Sequence, residues 1–392
     1  MHSVEEARRI CAQQVTLLPA EFLRLEQAVG ACLAEDAFAL DDHPRMDVSA
    51  VDGYAVGDAD GPWRIEGSIA AGAVMEGELS AGRCARVFTG AALPVGCFAV
   101  VMQEHVRAEG DLIVHQRGAL APMTNIRRQG EAHRVGELLM AKGLRITAAG
   151  VGLLASGGID EVMVTLEPHV CVVRTGDEFI GPDRQGPGLI HSSNERLLVA
   201  SLREAWFSAE EPPFTAGDTV DEIRSALEQA LAAGDAVITT GGVSVGDHDH
   251  VRLALEGMGA VIHFHGVAQK PGKPMLFASV NGRPVFGLPG NPRAVLVCWH
   301  AYVKPFLRAM QGDSSAWNAL PRASLAHAVR LKGERAEFRA AQTRDGRLHL
   351  LPDEGSHMLA TLVHADALAC FPAAMTSAEA GDLITFIPLR AA

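Results

Sequence analysis

Thr239-Thr240-Gly241-Gly242-Val243-Ser244-Val245-Gly246-Asp247 follows the apolar run Ala236-Val237-Ile238, and its reading decides the fold. The apolar run is the pattern of a buried strand. The glycines beyond it let backbone N–H groups converge on an anion, and the hydroxyls of Thr240 and Ser244 add hydrogen bonds. A tight strand-to-helix connection with no ligand accounts for this loop equally well when it is taken alone. Two further loops shift the balance to ligand binding. Lys270-Pro271-Gly272-Lys273-Pro274 holds two ammonium groups on a proline-stiffened turn. Gly287-Leu288-Pro289-Gly290-Asn291-Pro292 ends in the residues favoured at the N-cap and first position of a helix. Together the three loops describe a pocket for a phosphorylated anion, edged by the carboxylate of Asp249.

Outward from these loops, residues 170 to 310 read as β-α-β. Residues 170–173 form a buried strand, Asn194 caps a helix running to Trp206, and Thr219 with Glu222 makes a capping box. Strands alternating with helices imply a parallel sheet, whose ligands sit at the carboxyl ends of the strands. Thr175-Gly176-Asp177-Glu178 ends the first of these strands, so its carboxylates share that edge. Ahead of this region, Ser3 with Glu6 caps one helix and Thr147 opens another that closes at Gly157-Gly158. Between them, glycine-punctuated alternating runs read as a β-rich insertion. From about Pro321 the chain returns to strands, with Asp345-Gly346 as a hairpin signal. The expected division is a discontinuous helical domain at 1–45 and 141–168, an inserted β-rich domain at 46–140, an α/β domain at 169–317 and a C-terminal β domain at 318–392. The fold class is therefore multidomain α/β and β.

With 392 residues, more than one core is expected. The net charge of −13 argues against a nucleic-acid binder and requires a local positive site for any anion. Lys270, Lys273, Arg127 and Arg128 can supply one. The seven cysteines are scattered with no C-x-x-C, which speaks against a disulfide framework or a structural zinc site. No apolar stretch reaches membrane-span length and the first residues are polar and acidic, so a cytoplasmic protein is expected.

Asp247 and Asp249 lie just beyond the glycines, where a carboxylate can hold Mg²⁺ beside a phosphate or serve a helix N-terminus. Asp249 is the better metal candidate. His248 and His250 lack a third, separated ligand, and His263 and His265 read as partly buried strand residues. Asp52 before Gly53 is compatible with a simple turn.

In this order the motifs resemble the molybdopterin molybdenumtransferase family, the MoeA enzymes and the E domain of gephyrin. Besides the three loops, the resemblance rests on Ser49-Ala50-Val51-Asp52-Gly53-Tyr54-Ala55-Val56, Phe88-Thr89-Gly90-Ala91, Ala99-Val100-Val101-Met102-Gln103-Glu104, Arg127-Arg128-Gln129-Gly130-Glu131, Thr175-Gly176-Asp177-Glu178, Gly355-Ser356-His357 and Ala365-Asp366-Ala367-Leu368. It implies a molybdopterin-binding α/β domain, a helical domain with a β insertion and a C-terminal β-barrel. It also implies a homodimer whose cleft is shared between subunits.

The implied reaction inserts molybdate into adenylylated molybdopterin with Mg²⁺ and releases AMP, downstream of a molybdopterin adenylyltransferase. Carried over by motif, Asp249 binds the metal and Glu178 lies in the catalytic cleft, while Asp52 and Thr89 reach in from the partner subunit. Thr240, Gly241, Gly242, Ser244, Gly246, Lys270, Lys273, Arg339 and Ser356 hold substrate oxygens, and Pro289 and Pro292 shape the pocket. The chain departs from the family pattern at Phe98, Ala132, Ser192, Arg174 and Arg293-Ala294, losing three carboxylates and gaining two arginines. A molybdopterin adenylyltransferase, or a paralogue that binds the cofactor with altered chemistry, are the competing readings.

Overall fold

A computed structural model describes residues 1–116, 120–180, 185–243, 249–352, 355 and 359–389. At its centre is the strand His169–Thr175, whose alternate residues feed two cores. Val170 and Val172 pack with Leu198, Leu202, Phe277 and Phe286 on one face. Cys171 and Val173 pack with Ile223, Leu227, Val251 and Leu255 on the other. Apolar cover on both faces is why these strands read as continuous hydrophobic runs.

The sheet runs in the order Ser208–Ala209, His169–Thr175, Ala236–Thr240, Arg283–Leu288, Leu276–Val280, Val261–His265, with Phe214–Ala216 also beside the second strand. Its pairings are parallel as far as Arg283–Leu288. Leu276–Val280 is antiparallel to both of its neighbours. That hairpin turns at Asn281-Gly282, both with positive φ. The carboxyl ends of Thr175, Thr240 and Leu288 therefore line one edge, each followed by one of the loops read from the sequence.

The flanking elements follow their caps. Ser3 Oγ accepts from Glu6 N at 3.1 Å to start the helix Val4–Gln13. Ala7 and Cys11 of that helix enter the core of the α/β domain. Thr147 Oγ1 accepts from Gly150 N to start Ala148–Ser156, which packs near a three-stranded antiparallel sheet of Ala20–Arg24, Glu161–Thr165 and Cys32–Leu33. Beside its two helices, the segment read as helical thus carries several strands.

In the insertion, six strands run in the order Ala99–Met102, Gly53–Val56, Arg83–Val87, Trp63–Ile69, Leu112–His115, Val106–Glu109. Gly53 begins a strand there, opposite Met102 and Val87, and Asp52 lies in the bend that leads into it. A Cβ at Gly53 would lie 2.0 Å from Val101 O, so only glycine lets the strands approach this closely.

In the C-terminal region, Ala336–Arg344, Arg347–Leu350, Arg322–Leu325, Leu383–Pro388 and Ala367–Phe371 pair in succession. The last returns to the first, which closes a five-stranded barrel. Asp345 and Gly346 turn its hairpin with φ of 49° and 71°, as the Asp-Gly signal predicts. The short strand Gln269–Lys270 pairs in parallel with Ala336 and Glu337 at the start of the barrel's longest strand. All seven cysteines are free thiols. Among the described residues no helix is long and apolar enough to cross a membrane.

Candidate active site

The glycine loop is built by close approach. Gly241 and Gly242 have φ of 90° and 62°, the left-handed region that glycine enters without steric cost. A Cβ at Gly241 would lie 2.7 Å from Thr175 O, and one at Gly242 would lie 2.8 Å from Thr175 Oγ1. Gly241 N donates to Leu288 O at 3.2 Å. The end of the first strand, the glycine loop and the Leu288-Pro289-Gly290 segment thus meet at one point.

Asn194 fastens them. It is not the cap expected from the sequence, because the helix Asn194–Glu204 begins one residue earlier, at Asn194 itself, with Ser193 at the cap position. Its amide instead donates to Thr240 Oγ1 at 2.9 Å and to Gly290 O at 2.8 Å. Asn291 does cap Pro292–Cys298, accepting from Arg293 N at 3.2 Å, with Pro292 in the first turn. Pro289 is buried and Pro292 is half-buried. Ser244 and Gly246, with Asp247 and His248, lie outside the described residues, as do Ser356 and His357.

Asp249 is buried and caps the helix His250–Gly257, accepting from Arg252 N at 3.3 Å through Oδ1. Its Oδ2 lies 3.0 Å from Nε2 of His265, itself largely buried. His265 reads in the sequence as a partly buried strand residue, yet its ring lies against the metal candidate. Nothing local announces this, since the two residues come from elements 16 positions apart.

The lysine loop is shaped by a residue the sequence reading passed over. Gln269 is fully buried. It accepts from the hydroxyl of Tyr302 and donates to Pro271 O at 3.0 Å and Gly272 O at 3.4 Å. These bonds hold the turn that carries Lys270 and Lys273, alongside the prolines.

Strand pairing sets Lys270 opposite Glu337. The buried Glu337 takes Arg339 Nη2 at 2.8 Å and Nε at 3.2 Å, and accepts from Lys332 N at 2.8 Å. Burial pushes the Glu337 carboxyl up. The Lys332 N–H, the Arg339 guanidinium and the nearby Lys270 charge outweigh it and hold the group below the usual carboxylate range. Glu337 therefore stays ionised and clamps Arg339 beside Lys270. The i, i+2 spacing of Glu337 and Arg339 puts both on one strand face, a signal that was present in the sequence.

Glu178 folds back over the first strand's end, where a Cβ on Gly176 would lie 2.2 Å from its Oε2. Asp52 and Thr89 form a separate pair in the insertion. Thr89 N and Oγ1 donate to Asp52 Oδ1 at 2.8 and 2.9 Å, and these bonds hold the Asp52 carboxyl below its ordinary range. Among the described residues, Asp52 and Thr89 hydrogen-bond to one another, and Asp52 O to Gln103, but to none of the α/β loops.

A depressed folded-state pKa means that the contribution of the Asp52 bonds is in place above the ordinary carboxyl range and is lost as pH falls through the depressed value. Thr89→Val, which keeps the N–H and removes the hydroxyl, is expected to move the Asp52 pKa part of the way back up. A side-chain NMR titration reads this directly, and an unmoved Asp52 curve would exclude the hydroxyl as a cause.

Two departures from the family pattern, Arg174 and Ser192, share a partner in Glu195. Arg174 lies 3.6 Å from Glu195 Oε1, and Ser192 Oγ bonds the other oxygen of Glu195. The positive charge gained at Arg174 is therefore offset locally. Arg293 is buried in the first turn of its helix.

Three family models match along the chain. They are the MoeA N-terminal region (domain I and II) at residues 2–158, the probable molybdopterin binding domain at 171–309 and the MoeA C-terminal region (domain IV) at 322–389. A molybdopterin molybdenumtransferase of Staphylococcus epidermidis is 31% identical over 98% of this chain and 95% of its own length. One from Bacillus subtilis is 32% identical over 98% of this chain and 93% of its own. The crystal structure of the molybdopterin biosynthesis moeA protein from Pyrococcus horikoshii superposes with a TM-score of 0.83 at 28% identity, covering 99% of this chain and all of that one. With these matches running end to end over the loops just described, the chain belongs to the molybdopterin molybdenumtransferase (MoeA) family, enzymes of molybdenum cofactor biosynthesis.

Proposed function

We propose that this protein inserts molybdate into adenylylated molybdopterin, releasing AMP and molybdenum cofactor, with Mg²⁺ as the metal. The observation that carries the reading is the junction of three loops at the carboxyl ends of parallel strands, fastened by Asn194 and flanked by the Lys270, Glu337 and Arg339 cluster. Backbone N–H groups of the Gly241-Gly242 turn, with Ser244 and Gly246, receive the phosphate oxygens. Lys270, Lys273, Arg339 and Ser356 receive the oxyanion, and Pro289 and Pro292 keep that wall rigid. A fixed cluster of donors stabilises charge that develops during transfer without having to reorganise.

Asp249 is the residue that would hold Mg²⁺. A hard cation takes carboxylate oxygen, and Mg²⁺ binds through one or two protein carboxylates while substrate oxygens and water complete its shell. A single carboxylate beside an anion loop fits that demand. A cage of three or more protein ligands, which is not found among the described residues, is not needed. Bound there, the cation would neutralise pyrophosphate charge. Glu178 sits at the mouth of the same edge.

Asp52 and Thr89, paired on the β insertion, are supplied to the cleft by the partner subunit of a homodimer. A molybdopterin adenylyltransferase acts upstream to make the adenylylated substrate, in the cytoplasm.

Purified protein mixed with adenylylated molybdopterin, molybdate and Mg²⁺ is expected to release AMP in step with molybdenum cofactor formation. Tight substrate binding with no AMP release would overturn the transferase reading in favour of a binding paralogue.

A further inference from the structure

Arg174 is the penultimate residue of the central strand His169–Thr175, opposite Thr215 on one side and Thr240, the residue that opens the glycine loop, on the other. Val170 and Val172 share its face of the sheet and pack against the helix Asn194–Glu204, so its side chain rises on that side. There its guanidinium carbon lies 4.8 Å from the centroid of the Phe179 ring. One edge of the guanidinium is tethered by Glu195 at 3.6 Å, and Glu195 is itself held by Ser192 Oγ. Among the described residues, Arg174 Nε is buried with no hydrogen-bond partner, and the Phe179 ring and the Glu195 carboxylate are the groups set against the guanidinium. About a quarter of the side chain, 24%, remains accessible. Phe179 follows Glu178 directly and is bridged to Ile190 across its loop.

A charge pair that merely covered a helix start would need no aromatic backing. A planar cation laid on a ring is a stacking platform, because guanidinium stacks on aromatic systems as an ammonium does not. It stands at the strand edge where ligands of parallel sheets bind, one strand from the phosphate loop. We infer that the Arg174–Phe179 stack is a docking platform for a flat heteroaromatic ring of the substrate, the pterin or the adenine, and so makes Arg174 a specificity-determining residue of this chain. The inference rests on the substrate reading above.

The test titrates molybdopterin, AMP and inorganic pyrophosphate separately into wild-type protein, Arg174→Lys and Phe179→Leu. Lysine keeps the charge and its pairing with Glu195 but loses the plane, while leucine keeps the ion pair and removes the backing ring. The expected result is that one ring-bearing ligand binds each variant about tenfold more weakly, with pyrophosphate changed by less than about twofold. Whether molybdopterin or AMP responds identifies the ring. If both ring ligands bind the variants as they bind wild type, or if pyrophosphate weakens as much as they do, the platform is overturned. Should Arg174→Lys fail to fold, Phe179→Leu decides alone. Wild type that binds neither ring ligand would overturn the substrate reading, and the platform with it.

Discussion

Asp249→Ala is expected to lower the rate of AMP release by roughly a thousandfold or more, the scale of losing a group that places transition-state charge stabilisation. The same substitution removes the N-cap of the helix His250–Gly257, which costs about 1 kcal/mol of stability. Those two effects are separable. Asp249→Asn keeps a good capping side chain and removes only the negative charge, so its melting temperature should stay near that of wild type while turnover falls as far as in the alanine variant. Steady-state AMP release and thermal unfolding on both variants check this. Wild-type activity in Asp249→Asn would remove the carboxylate from the chemistry and leave it as a helix cap beside His265.

Gly241→Ala is expected to be the most damaging single-methyl change at the site. The residue has a φ of 90°, which an alanine adopts only at a cost of about 1–2 kcal/mol. The new Cβ would also meet Thr175 O at 2.7 Å, a backbone atom in the middle of a buried sheet edge that has nowhere to go. Together these amount to roughly 3 kcal/mol, in the range where strain at a special backbone position dominates a mutant's behaviour. Denaturant unfolding should show the loss, and pyrophosphate binding should weaken with it because the N–H groups are displaced.

Gly290→Ala is the control. Its Cβ would find its nearest neighbour at 3.7 Å, an ordinary contact, so stability should change by less than about 1 kcal/mol. Equal damage from the two substitutions would mean that close approach to Thr175 is not what requires glycine at 241.

The parts of this protein legible in its sequence are those governed by neighbours within a few positions. Ser3, Thr147, Thr219 and Asn291 start helices in the structure, each accepting from an N–H two or three residues on. Asp345-Gly346 turns a hairpin and the glycine loop follows its strand. Each of those signals is a local backbone requirement that a single side chain or a missing Cβ satisfies.

What escaped notice depends on residues far apart in the chain. Asn194 has the right chemistry for a cap, and only the folded sheet shows that Thr240 and Gly290 claim its amide. His265 reads as an alternating strand residue until the strand Val261–His265 lies beside Asp249. Gln269 is a buried polar residue whose hydroxyl partner, Tyr302, comes from another element, and Glu337 meets Lys270 only through strand pairing. The closure of the C-terminal barrel is implied by the family resemblance alone, because pairing of the first long strand with Ala367–Phe371 leaves no periodic trace.

Lys270 belongs to a loop of the α/β domain, yet its backbone is registered to Glu337 as an added strand on the barrel. That attachment makes the loop a mechanical linkage. A rigid-body swing of the barrel would drag the ammonium group with it or tear the ladder, so hinge motion in this enzyme would move a charge and not merely open a door. Substrate entry and the local potential at the proposed oxyanion site would then change in one stroke.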